Sequence, residues 1–410
     1  MMAPLGPFGA APRVAAGVSG GPHSLALALL ADRWSRARGG ALLALIVDHG
    51  LRPDSATEAA AVAAMLASRG LAARILPLGL PGGPGLQARA RAGRHAALLA
   101  ACAAAGTPWL LLGHHRADQA ETLLFRALRG SGAGGLAAMA PVRAAPAALL
   151  LRPLLGIPPA RLEAVVTAAG LTAQRDPGNA DPRFARIALR QALADPGGAG
   201  PGTAALAEAA AAFAARRARH DAAVAARLAA AARLFDSGHA TIDDVALGDD
   251  AVADAALGAL LRAVGGGGFP ATGTAVAALR RRGGGTLAGA WLRPRGKAWL
   301  LVREPGAVAP AVAAAAGATW DGRFRLGRAG RPGHLLGALG AEATRLRSLA
   351  PRLPAAVLAT LPAIRLHTVL VAVPFLGYPD EQSCGAFPVV FAPGAGDIAG
   401  GADWRGHAAH

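Results

Sequence analysis

The chain has 410 residues, 53% of them hydrophobic, more than one core comfortably holds, so two or three domains are expected. Lys+Arg 42 against Asp+Glu 25 leave a net charge of +17, which draws polyanions and makes nucleic acid the leading partner class, with a basic protein lacking such a partner as the plain alternative. The two cysteines, Cys102 and Cys384, lie far apart, which argues against a disulfide framework, an iron–sulfur cluster and a cysteine zinc site.

Gly 55, Pro 30 and a single lysine, Lys297, among many arginines are marks of a GC-rich coding sequence, so part of the basic excess is mutational bias. Met1 to Arg13 has no basic start followed by a long apolar run, so a secretory leader is not expected. Residues 96 to 113 are uncharged, but Gly106-Thr107-Pro108 interrupts them. A buried helix followed by a buried strand fits that segment better than a membrane span, and the expected location is cytoplasmic, with no membrane partner.

In chain order, strand candidates lie near residues 12 to 18, 41 to 47, 72 to 76, 108 to 113 and 148 to 151, alternating with helical patterns. This alternation predicts an α/β fold, a parallel sheet with helices on both faces. Ser55-Ala-Thr-Glu58 reads as a capping box and Gly70 as the stop of a helix of about fifteen residues. Pro196 to Gly202 reads as a linker, and residues 203 to 235 as an Ala-rich helix carrying Arg216, Arg217, Arg219, Arg227 and Arg233. A solvated face and a phosphate-tracking surface both fit those arginines. Gly265 to Gly268 breaks the helical middle, and after Pro305 short apolar runs such as Val369 to Val373 and Val389 to Phe391 predict a small strand-rich C-terminal domain. The expected divisions are 1–196, 203–304 and 305–410.

Ser19-Gly20-Gly21-Pro22-His23-Ser24 follows the first strand and opens an apolar helix. Paired glycines let consecutive N–H groups turn toward an anion, and the helix N-terminus adds its partial positive charge. The segment is neither a Walker loop nor a dinucleotide fingerprint. Ligands collect at the carboxyl ends of strands in open α/β sheets, which groups this loop with Asp48-His49-Gly50 and His114-His115. The next helix carries Asp118 and Glu121 on one face, with Gln119 and Thr122 beside them. Carboxylates in a first turn answer the helix dipole, but beside a phosphate loop Asp118 also suits the Mg²⁺ that escorts a nucleotide triphosphate. A transition-metal site from His114, Asp118 and Glu121 is a further reading. His115 can equally cap or pack, and Trp109 reads as core.

These segments resemble bacterial tRNA(Ile)-lysidine synthases, of the N-type ATP pyrophosphatase (PP-loop) group. The likeness rests on Val18-Ser-Gly-Gly-Pro-His-Ser24, Val47-Asp-His-Gly-Leu-Arg-Pro53, Gly113-His-His-Arg-Ala-Asp-Gln-Ala-Glu-Thr122, Arg129-Gly-Ser-Gly132, Arg152-Pro-Leu-Leu155 and Asp176-Pro-Gly-Asn179, in that order and spacing. It is strong from about residue 8 to residue 190 and faint at the C-terminal end, at Val373-Pro-Phe-Leu-Gly377. The resemblance implies that ATP adenylates the oxygen on carbon 2 of the wobble cytidine of tRNA(Ile) bearing a CAU anticodon. The side-chain amine of L-lysine then displaces AMP.

It further implies that Ser19, Gly20, Gly21, Pro22, His23 and Ser24 hold the ATP phosphates, while Asp48 and His49 border the nucleotide. Asp118 and Glu121 face metal or lysine, with His114 as a third catalytic candidate and Asp118 as the Mg²⁺ ligand. Arg129, Arg152, Arg183, Arg186 and Arg190 are candidate tRNA contacts, the C-terminal domain is expected to touch tRNA, and a homodimer is carried as a further partner expectation. The chain departs from the pattern at His23 and Ala117, where aspartates are usual, at His95, where tyrosine is common, and at Gly178, where serine is usual. Loss of two carboxylates predicts weakened metal binding and reduced adenylation, with His23 left to donate to a phosphate or, when protonated, to attract one. A tRNA-binding paralogue without full catalysis and a tRNA thiolation enzyme are the competing expectations, the second disfavoured by the cysteines.

Overall fold

The computed structural model describes residues 1–50, 54–79, 85–145, 147–174, 185–268 and 270–394, without the side chains of Gln87, Ala88 and residues 185–187. It falls into two compact units, Met1–Arg217 and Ala218–His410.

The first unit runs β1 (Arg13–Val18), α1 (Pro22–Arg36), β2 (Ala41–Asp48), α2 (Ser55–Ala67), β3 (Ala72–Pro77), α3 (Leu86–Ala104), β4 (Trp109–Leu111), α4 (Arg116–Leu128), α5 (Ala133–Leu136), β5 (Val142–Ala144), β6 (Leu149–Leu151), α6 (Pro159–Ala168) and α7 (Ala185–Leu193), and the unit boundary falls within α8 (Pro201–Ala231). The strands form one sheet in the order β3-β2-β1-β4-β6-β5, parallel except for β5. Side chains alternate across it: Val14, Ala16 and Val18 pack with α1, α2 and α6, whereas Ala15 and Leu45 pack against Leu98, Ala101 and Cys102 of α3. Helices therefore cover both faces, and each fully buried leucine, such as Leu25 or Leu27, contributes about 2 kcal/mol. From β1 the chain builds toward β3 on one side and resumes at β4 on the other. The crevice between the carboxyl ends of β1 and β4 is thus the topological switch point, where ligands of such sheets bind.

Three local expectations change. The N-cap of α2 is Asp54 and makes no side-chain capping bond. Ser55 lies inside the helix, its side chain hydrogen-bonded to Asp48, so the S-x-x-E pattern marks the helix start one residue late. Pro196–Gly202 is not a free linker, because the Ala160 N–H donates to the Gly197 carbonyl, the Gly200 N–H donates to Asp195, and Gly198 lies against Pro159. The long helix ends at Ala231, so Arg233 sits on a strand.

The second unit continues with β7 (Ala232–Leu234), β8 (Ala240–Asp243), α9 (Asp244–Leu247), α10 (Ala251–Gly265), α11 (Gly273–Arg281), β9 (Gly285–Leu287), β10 (Ala290–Arg295) and β11 (Ala298–Arg303). These strands make an antiparallel sheet, β7-β8-β11-β10-β9. Then follow β12 (Val312–Ala313), β13 (Thr319–Trp320), β14 (Phe324–Leu326), β15 (His334–Ala338), α12 (Ala355–Ala359), β16 (Pro362–Leu366), β17 (Val369–Ala372), α13 (Glu381–Gly385) and β18 (Val389–Phe391), in sheets β12-β15-β16-β17 and β13-β14-β18. The C-terminal region is strand-rich, as its short apolar runs predict. Its core holds a buried ion triad, with Asp321 accepting from Arg303 at 2.7 Å and from Arg323 at 2.7 Å. No helix among the described residues is long and apolar enough to cross a membrane.

Candidate functional site

Gly20 carries φ +79°, a left-handed conformation that favours glycine, and a Cβ there would lie 2.6 Å from Gln174 Oε1 and 2.7 Å from a Val62 methyl carbon. Gln174 binds the same loop, donating its backbone N–H to the Gly20 carbonyl at 2.9 Å and its side-chain amide to the Glu58 carbonyl at 3.1 Å. Ser24 folds back, its hydroxyl accepting from the Ser19 N–H at 3.1 Å and donating to the Gly21 carbonyl at 2.9 Å. Gly21 is the N-cap of α1 and Pro22 its first residue, and no side chain caps this helix end. The His23 and Ser24 N–H groups therefore face outward with the positive helix dipole, which is what an anion requires.

The end of β4 closes on this loop: a Cβ on Gly113 would lie 3.2 Å from the His23 carbonyl oxygen and 3.3 Å from the Ser24 Cα. The His23 and His115 rings meet edge to face with centroids 4.2 Å apart. Burial, and then His115, push the His23 imidazole down to about 4. Burial also lowers His114 to about 3, with Arg152 next in effect, and His115 to about 4, with Arg190 next. All three are neutral at pH 7. A neutral His23 ring can donate to a phosphate, the first of the two roles expected of it. Its Nε2 lies 3.6 Å from Glu163, a polar contact between a neutral ring and an exposed carboxylate rather than an ion pair.

Asp118, at the third position of α4, accepts the His115 backbone N–H at 2.9 Å and lies 3.5 Å from His115 Nε2. Glu121 is buried, 2% exposed, and receives both Arg190 Nε at 2.6 Å and Arg190 Nη2 at 3.2 Å. Arg190, read from the sequence as an RNA contact, is thus committed to a carboxylate one α4 turn beyond Asp118. The proposed His114, Asp118 and Glu121 transition-metal site does not assemble: among the described residues no group of three His, Cys, Asp or Glu could hold a metal ion. Asp118 offers Mg²⁺ a partly exposed carboxylate beside the phosphate cradle, and hard cations accept a sparse protein set when phosphate oxygens and water complete it.

At the end of β2, Asp48 accepts from the Gly50 N–H at 2.9 Å and from Ser55, and these bonds, the Ser55 one foremost, hold its carboxyl below the usual range. His49 follows it at the sheet edge. Arg129 is exposed, its guanidinium 4.5 Å from the centroid of the Phe125 ring. Arg152 is buried and donates to the Ala140 carbonyl at 2.7 Å. Arg183, the Arg186 side chain and the Asp176-Pro-Gly-Asn179 motif lie outside the described residues. Gln174 and Glu163 were missed from sequence, because neither stands in a motif.

Comparison with known proteins finds relatives for this part of the chain. The PP-loop domain family matches residues 4–196. The tRNA(Ile)-lysidine synthase of Rhodopseudomonas palustris is 48% identical over 187 residues, covering 45% of this chain and 54% of that protein. The proteins of the same name from Bradyrhizobium sp. and Novosphingobium aromaticivorans are 48% and 45% identical, covering 42% and 44% of this chain and 49% and 56% of theirs. The chain therefore spans about half the length of the curated relatives it matches. Among solved structures, the U34-tRNA thiolase NcsA from Methanococcus maripaludis with its [4Fe-4S] cluster aligns over 52% of this chain and 75% of that chain, at 18% identity and a TM-score of 0.44, too slight a likeness to bear on function.

Proposed function

We propose, from the premise that residues 4–196 are a PP-loop domain, that this chain uses ATP to ligate L-lysine to carbon 2 of the wobble cytidine of tRNA(Ile) with a CAU anticodon. The observation that carries the reading is the uncapped Gly20-Gly21 turn at the switch point, closed by Gly113 and flanked by Asp118 and Glu121. The names of the relatives support it.

The chemistry has two balanced steps. The base oxygen on carbon 2 attacks the α-phosphorus of ATP and diphosphate leaves, then the lysine amine attacks carbon 2 and AMP leaves with that oxygen. The exocyclic oxygen on carbon 2 leaves poorly until a phosphoryl group takes its charge, so the loop's task is to hold the phosphates still through the first step. The N–H groups of His23 and Ser24 receive the phosphates, and neutral His23 adds a donor without adding charge. Mg²⁺, which would neutralise phosphate charge, would take Asp118 as its protein ligand. Glu121, ion-paired with Arg190, is the carboxylate assigned to the incoming lysine amine, and Asp48 with His49 borders the nucleoside. Arg129, Arg183 and Arg186 are assigned to the RNA backbone, and the reaction belongs in the cytoplasm, where tRNA is processed.

Sulfur transfer is the weaker enzyme reading. Burial pushes the Cys102 thiol up to about 11, and Cys384 donates its S–H to the Tyr378 carbonyl at 3.1 Å, so neither is a ready thiolate. The deciding experiment incubates the protein with tRNA(Ile), ATP and isotopically labelled lysine across a magnesium titration. Label entering tRNA with stoichiometric AMP is the expected result. Tight tRNA binding with no AMP at any magnesium concentration overturns the ligase in favour of a non-catalytic tRNA binder.

A further inference from the structure

Four guanidiniums gather beside the phosphate loop, and among the described residues none of them is ion-paired to a carboxylate. Arg91 and Arg94 stand one turn apart on α3, Arg143 lies on β5, and Arg152 follows β6. All four act on His95, and Arg152, Arg94 and Arg91 act on His114. The framework holding them is firm. Arg143 pairs in register with Leu150, the Arg152 N–H donates to the Pro141 carbonyl at 2.8 Å, and α3 packs on the same sheet face as Leu110 and Leu150.

Arg91, Arg94 and Arg143 are exposed and form a rim; Arg152, 9% exposed, is the floor. The floor is incompletely satisfied: Arg152 Nη1 reaches the Ala140 carbonyl, but Arg152 Nε is buried with no partner, as is His114 Nδ1 beside it. A buried guanidinium N–H without an acceptor has lost its water and gained nothing in return, and like charges crowded around it add to that cost. No ion pair joins these four arginines to any carboxylate among the described residues.

We propose that Arg91, Arg94, Arg143 and Arg152 form a second anion site, separate from the Gly20-Gly21 turn, that takes a phosphate oxyanion through Arg152 Nε. A phosphate there supplies the missing acceptor and neutralises the rim at once. The oxyanion comes either from an RNA phosphodiester or from the diphosphate end of the nucleotide. The inference rests on the nucleotide and tRNA reading above for its source, though not for its existence.

The test is the Arg91→Met, Arg143→Met double variant, which keeps the aliphatic stems and alters only the exposed rim. Thermal unfolding is followed with and without inorganic phosphate. Wild-type Tm rises with phosphate, and the variant keeps less than half of that rise, the remainder belonging to the Gly20-Gly21 turn. In phosphate-free buffer the variant unfolds at or above the wild-type temperature, because like-charge repulsion is relieved. A full phosphate response in the variant, or a lower Tm without phosphate, marks these arginines as structural and overturns the site. Steady-state kinetics then names the source: a roughly tenfold higher KM for tRNA indicates a phosphodiester, and the same rise for ATP indicates the nucleotide. If neither KM moves, the site fails even where lysine is incorporated. If wild type incorporates no lysine, the Tm arm still decides the site, so the two readings fail separately.

Discussion

The two walls of the crevice are built on opposite principles. The β1–α1 wall leaves its polar groups unspent: no side chain caps α1, and the loop is pinned from behind by Gln174 and by the Ser24 hydroxyl. The α4 wall spends its groups internally, with Asp118 on the His115 N–H and Glu121 on Arg190. An anion can therefore enter the first wall with no rearrangement, whereas the second must exchange an internal partner for substrate or metal. On the proposed reaction, preorganisation lies with phosphate binding, and selectivity for the amine and the cation is assigned to the wall that must open.

The largest effect expected comes from breaking the open wall. Gly20→Ala forces a side chain into a left-handed residue and against Gln174 and Val62, displacing the cradle. Diphosphate release should fall about 100-fold, the order of loss for a displaced reacting group, and stability by about 1–3 kcal/mol. Gly113→Ala, whose Cβ meets the His23 carbonyl at 3.2 Å, should act in the same direction more mildly. Unchanged diphosphate release in Gly20→Ala would remove the loop from the mechanism.

The closed wall answers differently. Glu121→Gln keeps the shape but removes the counter-charge, so lysine incorporation should fall more than tenfold, at least about 1.4 kcal/mol in the barrier, while diphosphate release stays within about threefold. Arg190→Met takes two charge-assisted bonds from a buried carboxylate and should lower stability by about 2 kcal/mol. Equal loss of both half-reactions in Glu121→Gln would deny that the walls divide the work. Smaller again is the gain from refilling the cation site. The His23→Asp, Ala117→Asp double variant should lower the half-saturating magnesium concentration about tenfold, one added ligand's worth. Full wild-type activity at low magnesium would refute the weakened site.

The residues of both walls were legible in the sequence, but not the long-range partners that fix them. Five parallel strands and the Gly20-Gly21 turn announce themselves through apolar runs and glycine punctuation, which are local signals. β5 does not, because Val142, Arg143 and Ala144 form a three-residue exposed edge with no alternation to read. The pairing of Glu121 with Arg190 joins residues 69 apart in sequence, and the seat of Gln174 on Gly20 is likewise long-range. Ser55 shows the opposite failure, a local motif overridden by tertiary contact, since its side chain bonds Asp48 instead of capping α2. The histidines were visible as residues, but their neutrality comes from burial that only the packed sheet provides.

That neutrality gives the finest comparison of the walls. His23, from the open wall, and His114 with His115, leading into the closed one, all hold protons less tightly folded, at about 4, 3 and 4, than at the ordinary 6.5. Between pH 6.5 and about 4 the unfolded chain binds protons that the folded chain refuses, so stability rises with pH through this window and is lost as pH falls below 6.5. Each group contributes at most about 1.4 kcal/mol per pH unit. His239, also lowered to about 4 by burial, adds the same slope from the second unit, so the informative quantity is the difference between variants. Urea midpoints measured at pH 7 and pH 5 should converge in His23→Gln relative to wild type, and further in the His23→Gln, His115→Gln pair, because burial lowers His115 as well. Parallel midpoints in wild type and both variants would mean that these imidazoles are hydrated in solution, and that the crevice is open to water on both sides.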